Sequence, residues 1–373
     1  MSDSKMKIDR RRVELWRGPL AVLVIIVVGP LILPEGLIGV GALCALYVIA
    51  GVGLQQMMGY TAQVSFGQGA FWAIGAYGVG ILTVKVHLPV VPAIIIGVLI
   101  TGFVAFAIGW PLTQLRGHYL AVATLALAMI VADLANNLID FTGGSTGLPG
   151  VPALTWFGEP LIGTSFYVVC WAIALVVLVV ASNLSTSRTG RAFRAVGRDD
   201  SGSQALGIPS AAYRLRSFIF AAMLAGGGGA LYATYLGFLS PDAFSVQLSV
   251  LLLIIVVVGG LASPYGALLG AVVVTALSQW LNAVASDPAV PVGVGSALDP
   301  LLYGGAVFLI LRFLPNGLQP LLRQVTGAVT TGVRRLLGRG TGPDNHHDGK
   351  SDVGSVAEAI VAEADAPASI AKE

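Results

Sequence analysis

Gln63, Ser65 and Gln68 stand within GYTAQVSFGQGAFWAIGAYGVGILTV, residues 59–84, where most neighbours are apolar or glycine. Amides and hydroxyls offer hydrogen bonds, and at membrane depth such groups need partners in protein or in a water-filled path. That requirement turns this segment towards the interior of a helix bundle. Gly67, Gly69, Gly75, Gly78 and Gly80 weaken the helix, and the pattern predicts partial unwinding near Ser65–Gly69. The same glycines suit close helix contact, so they fit a packing role equally well. Gln63, Ser65, Gly67 and Gln68 are therefore candidates to line a path. Thr124 and Asp133, in the apolar run from Tyr119 to about Ala135, join them with Asn136 and Asn137 just beyond.

A second polar stretch is basic. Between Ser187 and Phe218 stand Arg188, Arg191, Arg194, Arg198, Arg214 and Arg216, which the positive-inside rule places in the cytoplasm. Ala192, Phe193, Ala195 and Val196 recur near helical spacing and predict a surface helix over Arg188–Ser203, ended by Gly207 and Pro209. By composition alone, this remains an ordinary basic loop against anionic lipid.

Bond-making chemistry is poorly served. GKS at 349–351 has Asp344 where a phosphate-cradling loop needs glycine, and no strand precedes it. HExxH, a nucleophile elbow and paired carboxylates at membrane depth are missing from the sequence. His346 and His347 lack a third ligand nearby, so no metal site is expected, nor an enzyme. Cys44 and Cys170 fall inside apolar runs and read as small buried hydrophobes.

Positioning these groups falls to membrane helices. The chain is 55% hydrophobic and 11% charged, with a mean hydropathy of +0.83, more apolar surface than one soluble core can bury. A basic stretch, 1–18, precedes a first apolar run, Pro19–Leu33, read as a retained span because no small-residue cleavage site follows. Further spans are expected over 36–58, 59–84, 90–110, 119–135, 161–182 and 217–236, then 247–260, 262–281 and 297–314. The last pairing, across GGLASPYG, is either two crossings joined by a tight inside turn or a re-entrant pair, with Gly266 and Gly270 forming a GxxxG contact in both cases. The fold class is all-α, an integral membrane bundle of ten crossings with both termini cytoplasmic and only Lys85 against the charge rule.

The loops expected on the outer side include FTGGSTGLPGVPALTWFGEP and Gly237–Val246, besides a short one holding Lys85 and His87 and a polar one over Asn282–Ser296. In the first, Thr142, Gly143, Gly144, Ser145 and Gly147 leave amides accessible for a lid or a protein contact, or simply make a turn-rich connection. The transmembrane region is taken as 19–322, with a cytoplasmic loop over 183–216, and the tail 323–373 as largely disordered.

Several blocks, in order, resemble the branched-chain amino acid ABC permease family of the LivM type. They are GYTAQVSFGQGAFWAIGAY (59–77), LRGHYLAVATLALAMIV (115–131), NN with FTGGSTGLPGVP (136–152), GRAFRAVGRDDSGSQALGIPSAAYRLRSF (190–218), AGGGGALYA (225–233), SVLLLIIVVVGGLASPYGALLGA (249–271) and FLPNGL (313–318). The resemblance covers nearly the whole membrane region and stops before the tail beyond Leu322.

It implies one membrane subunit of an importer in a bacterial cytoplasmic membrane. The implied partners are a second, LivH-like permease, two LivG- or LivF-like ATP-binding subunits, an extracytoplasmic binding protein and membrane lipid, with no nucleic acid. ATP would be bound by the partner subunits, leaving this chain without a cofactor. The loop over Asp199–Gly207 would dock on the ATPase, with Arg191, Arg194, Asp199, Asp200, Ala205 and Gly207 in coupling roles. Many relatives carry Glu and Arg where this chain has Met129 and Ala132, and an acidic, alanine-rich run where it has Ser201, Gly202 and Ser203. A weakly charged path suits a neutral or zwitterionic solute, such as a branched-chain amino acid. Urea or a short amide is the alternative, and a secondary carrier or channel without ATPase subunits is the rival from another class.

Overall fold

The computed structural model describes residues 34–285 apart from 116, 157 and 262–264, together with 22, 23, 25, 26, 29, 30 and 312. The chain divides into two units, 1–323 and 324–373, and the second lies outside the described residues. So do most of the first expected span, the expected span 297–314 and the tail. The ten-crossing count therefore rests on sequence at both ends.

Ten helices carry the described part: α1 (Glu35–Thr61), α2 (Gln68–Val84), α3 (Val90–Leu112), α4 (His118–Asn137), α5 (Thr164–Thr186), α6 (Arg188–Arg198), α7 (Asp200–Ala205), α8 (Ser210–Leu236), α9 (Val246–Gly259) and α10 (Gly266–Ala285), besides a single turn at Ile139–Thr142. Five of them, α1, α3, α4, α5 and α8, are long and apolar enough to cross a membrane, while α2 and α9 are shorter apolar helices. The all-α bundle expected from the sequence is the fold observed.

Glycine sets the spacing at its centre, where α8 lies against α1, α2 and α3. A Cβ at Gly75 of α2 would run into the Gly226 carbonyl of α8, and one at Gly229 would run into the Trp72 carbonyl. Four consecutive glycines, 226–229, would weaken a soluble helix by about 1 kcal/mol each relative to alanine. Here they admit the backbone contact that membrane helices use in place of a hydrophobic drive. Trp72, Phe71 and Phe218 pack around this contact, with Phe71 and Phe218 edge to face at 5.4 Å.

One end of the bundle carries α6 and α7 and is basic. At the other, β1 (Leu148–Pro149) pairs antiparallel with β4 (Phe238–Leu239), and β2 (Thr155–Trp156) pairs with β3 (Glu159–Pro160). Leu148 pairs with Leu239, tying the two expected outer loops into one layer.

Three boundaries differ from those the sequence suggests. Helix α8 begins at Ser210 rather than Ser217, so Arg214 and Arg216 belong to its first turns, and the polar segment shortens to 187–209. The surface helix breaks at Asp199, whose extended backbone (φ −150°, ψ 109°) separates α6 from α7. The Asp199 carbonyl then accepts both the Ser203 N–H at 3.1 Å and the Ser203 hydroxyl at 2.7 Å, which starts the second helix.

The third correction concerns Gly237–Val246, of which only the start, through Leu239, belongs to the outer layer. From the strand beside Gly80, the chain turns inward through a 3-10 turn, Pro241–Phe244, that buries Pro241 and Phe244, and reaches Gly69. That is a descent of about 16 Å along α2. Helix α9 accordingly starts inside the bundle, and its 14 residues rise only about 21 Å against a hydrocarbon core of roughly 30 Å. It ends at the basic end, where Gly259 meets Gly266 and Gly270 meets the Ile255 carbonyl, the GxxxG contact read from the sequence.

Candidate functional site

Between α1 and α2 the helix stops for six residues, Ala62–Gly67. Ala62 takes a left-handed conformation (φ 52°), and burial then alternates, with Ala62 and Val64 exposed and Gln63 and Ser65 buried. Alternation with a period of two is the mark of extended backbone. The sequence placed the unwinding near Ser65–Gly69. It lies slightly earlier, and Gln68 is already helical.

A non-helical backbone inside a membrane bundle needs hydrogen-bond partners, and three hydroxyls from three elements supply them. The Phe66 N–H donates to Thr124 Oγ1 of α4 at 3.0 Å, the Gly67 N–H to Ser65 Oγ at 3.1 Å, and the Gly69 N–H to Ser249 Oγ of α9 at 2.9 Å. A Cβ at Gly69 would stand 2.7 Å from Ser249 Oγ, so only glycine lets α9 come this close. The N-termini of two interrupted helices, α2 and α9, thus meet at Gly69 and Ser249. Each brings the partial positive charge of a helix start.

Buried amides surround this junction. Gln63 and Gln68 are 5% and 1% exposed, and both amide atoms of Gln63, along with Gln68 Oε1, find no partner among the described residues. One turn along α2, Trp72 Nε1 is in the same condition. Every buried polar side chain among the described residues is uncharged. The junction can hydrogen-bond a solute and offer it helix-end dipoles, but it presents no fixed ion.

The structure brings Gln63, Ser65, Gly67, Gln68 and Thr124 together. Asp133, Asn136 and Asn137 lie apart, on an exposed face of α4. The two asparagines turn back on their own helix, Nδ2 donating to the Ala132 and Asp133 carbonyls at 3.1 and 2.8 Å. Among the described residues, no path includes these three, because their side of α4 faces away from the other described helices. Ser249 was missed, since a single serine in an apolar run carries no marker of what it faces.

At the opposite end, Thr142 is buried and donates to the Ala135 and Leu138 carbonyls at 2.7 and 2.8 Å. Accessible amides were expected of the loop glycines, and the structure corrects this. The Gly143 N–H bonds to Ile139, Gly144 to Thr142 Oγ1 and Gly147 to Gly144, all within the loop. All three glycines have positive φ, which explains their presence as turn formers. Ser145 is exposed beside them.

On the basic segment, Phe193 and Val196 of α6 are buried while Arg191 and Arg198 face outward. Arg194 lies over the Tyr60 ring of α1 at 5.2 Å, and Phe193 meets Tyr213 of α8 edge to face. Asp200 pairs with Arg214 at 3.2 Å. From the last residues of α7 onward, Gln204 to Gly207 are exposed, and Gly207 turns the chain with φ +78°. Leu206, at 81% exposure between Ala205 and Gly207, is the apolar tip of this surface and another residue the sequence reading passed over. An apolar residue at the apex of a polar loop was the signal available.

Long apolar helices, glycine-mediated contacts, interrupted crossings and a basic projection at one end define a multi-pass permease bundle of the inner membrane. The chain belongs to the family described as branched-chain amino acid transport system / permease component, an ABC-type permease family whose model matches residues 36–311. Among its relatives, the high-affinity branched-chain amino acid transport system permease protein LivM of Salmonella typhimurium is 28% identical over 328 residues, 82% of this chain and 75% of that protein. The Escherichia coli LivM shows the same identity and coverage. The autoinducer 2 import system permease protein LsrC of E. coli is 27% identical over 202 residues, half of this chain and 57% of its own length. No solved structure matches the chain.

Proposed function

We propose that this chain is one membrane subunit of an ATP-driven importer for branched-chain or related neutral amino acids, handed over by an extracytoplasmic binding protein. The observation that carries the reading is the uncharged junction of two helix N-termini at Gly69 and Ser249, lined by the unpaired amides of Gln63 and Gln68. A zwitterion needs partial charges of both signs, and helix starts with amide oxygens supply them without fixed ions. A second, LivH-like permease covers the exposed face of α4 that holds Asp133, Asn136 and Asn137. Two ATP-binding subunits grip the basic end at Arg191, Asp199, Ala205, Leu206 and Gly207. That end faces the cytoplasm by the positive-inside rule, as do both termini. Closure of the ATPase pair moves α6 and α7 and switches the junction between outward and inward access by rigid-body motion.

The complex reconstituted in proteoliposomes tests this with labelled leucine, urea and short amides. ATP-dependent leucine uptake is the expected result. Uptake of urea alone transfers the site to that substrate class, and uptake without nucleotide points to a carrier and overturns the reading. Leu206→Cys in intact cells checks orientation, because labelling by a membrane-impermeant maleimide would invert the assignment of sides.

A further inference from the structure

The last two turns of α1 touch more of the bundle than their sequence advertises. Gln55 Nε2 donates to the Gly260 carbonyl at 3.1 Å, and Gln55 Oε1 accepts the Ala267 N–H at 3.1 Å, so one amide bridges both arms of the α9–α10 hairpin. Gln56 Nε2 donates to the Ala181 carbonyl of α5 at 3.0 Å. Thr61 Oγ1 donates to Met57 at 2.7 Å and meets Ser217 Oγ of α8 at 3.3 Å. Gly59 lies so close to the Leu261 carbonyl that a Cβ would collide with it. Tyr60 carries the Arg194 guanidinium over its ring, and its carbonyl lies against Gly197 of α6, again too close for a Cβ.

We propose that the segment Gln55–Thr61, the last two turns of α1, is the relay between the ATPase-docking segment and the interrupted crossing, with Tyr60 as its input and Gln55 as its outlet to the α9–α10 hairpin. The assignment rests on the importer reading above. Its physical basis is continuity. Backbone contact at Gly197 and the cation–π contact at Arg194 prevent α6 from sliding along α1 without displacing Tyr60. Two residues beyond Tyr60, the chain leaves the helix at Ala62, and the next residue is Gln63 of the junction. A shift at Tyr60 is therefore delivered to one interrupted helix through covalent backbone. Gln55 delivers the same shift to the other, through one hydrogen bond to Gly260, which caps α9, and one to Ala267 in the first turn of α10. Helix α6 also packs on α5 and α8, but both continue as unbroken helix, whereas α1 gives way to extended backbone at Ala62. Tyr60 and Gln55 act through other groups and are positioning residues.

The complex reconstituted with ATPase subunits provides the test, read as leucine moved per ATP hydrolysed. Tyr60→Leu lowers that ratio about five-fold while the ATPase subunits still co-purify, whereas Tyr60→Phe, which keeps the ring face, retains it. Arg194→Gln removes the same contact from the other side, and combining it with Tyr60→Leu adds no further loss. Unchanged ratios in both single variants, or losses that multiply in the double variant, overturn the relay. Ala62→Cys, at an exposed position in the break, supplies a readout independent of the solute. Its maleimide labelling rate changes on adding ATP, and the change is lost with Tyr60→Leu and kept with Tyr60→Phe. An equal change in all backgrounds overturns the relay, whereas an ATP-responsive break with no leucine uptake overturns only the choice of substrate.

Discussion

Asp200 Oδ2 and Arg214 Nη2 lie 3.2 Å apart, an ion pair that fastens the short helix α7 to the start of α8. Six residues make a poor helix alone, so the orientation of α7 depends on this pair and on the Gln204–Ser210 hydrogen bond at 2.8 Å. Asp200→Asn weakens capture of the ATPase subunits about two- to five-fold at low salt, the range of a partly exposed pair. Titration of the ATPase against reconstituted permease measures it, and the difference from the unmodified chain shrinks as salt is raised.

Leu206 is 81% exposed on the same surface and supports nothing within its own chain. Leu206→Asp therefore leaves thermal unfolding in detergent unchanged and lowers ATPase capture at least about ten-fold, as loss of a central apolar anchor does. Normal capture would move the docking surface elsewhere on the basic end.

Thr124→Val keeps the shape of the side chain but removes the acceptor of the Phe66 N–H. A buried donor left without a partner costs about 1–3 kcal/mol. A lower melting temperature and impaired uptake are expected, and Thr124→Ser restores both.

Gly227 and Gly229 separate packing from propensity. A Cβ at Gly229 runs into the Trp72 carbonyl, whereas one at Gly227 meets only Val98 Cγ2 at 3.7 Å. Gly229→Ala forces α8 away from α2 and destabilises the bundle by about 1–3 kcal/mol. Gly227→Ala is neutral or stabilising by up to about 1 kcal/mol. Melting in detergent, with yield of folded protein, distinguishes them.

The bundle itself was legible in the sequence. Runs of apolar residues mark spans through length alone, arginines mark one side, and glycines at 226–229 announce close backbone contact. The burial of Gln63 and Gln68 was legible too, because a polar group in an apolar run turns away from lipid and towards the bundle interior. Gln55 and Gln56 obey the same rule and went unremarked. The difference is that Gln63 and Gln68 sit beside a glycine-marked break, while Gln55 and Gln56 lie inside a regular helix. Asp133 looked like a path residue for its charge, yet which way a helix turns its charge depends on the neighbours it packs against.

The amino-acid sequence by itself determined that this protein lies in a membrane, which segments are apolar enough to enter it and which end is basic, because hydrophobicity and charge are local properties that a bilayer reads directly. The tertiary structure alone decided that Gly237–Val246 descends into the bundle, that α9 begins at depth beside Gly69, and that Gln55 bridges the hairpin leading out of α9. Those facts turn on where a backbone polar group buried from water finds its partner, and the partner of Gly69 lies 180 residues away along the chain.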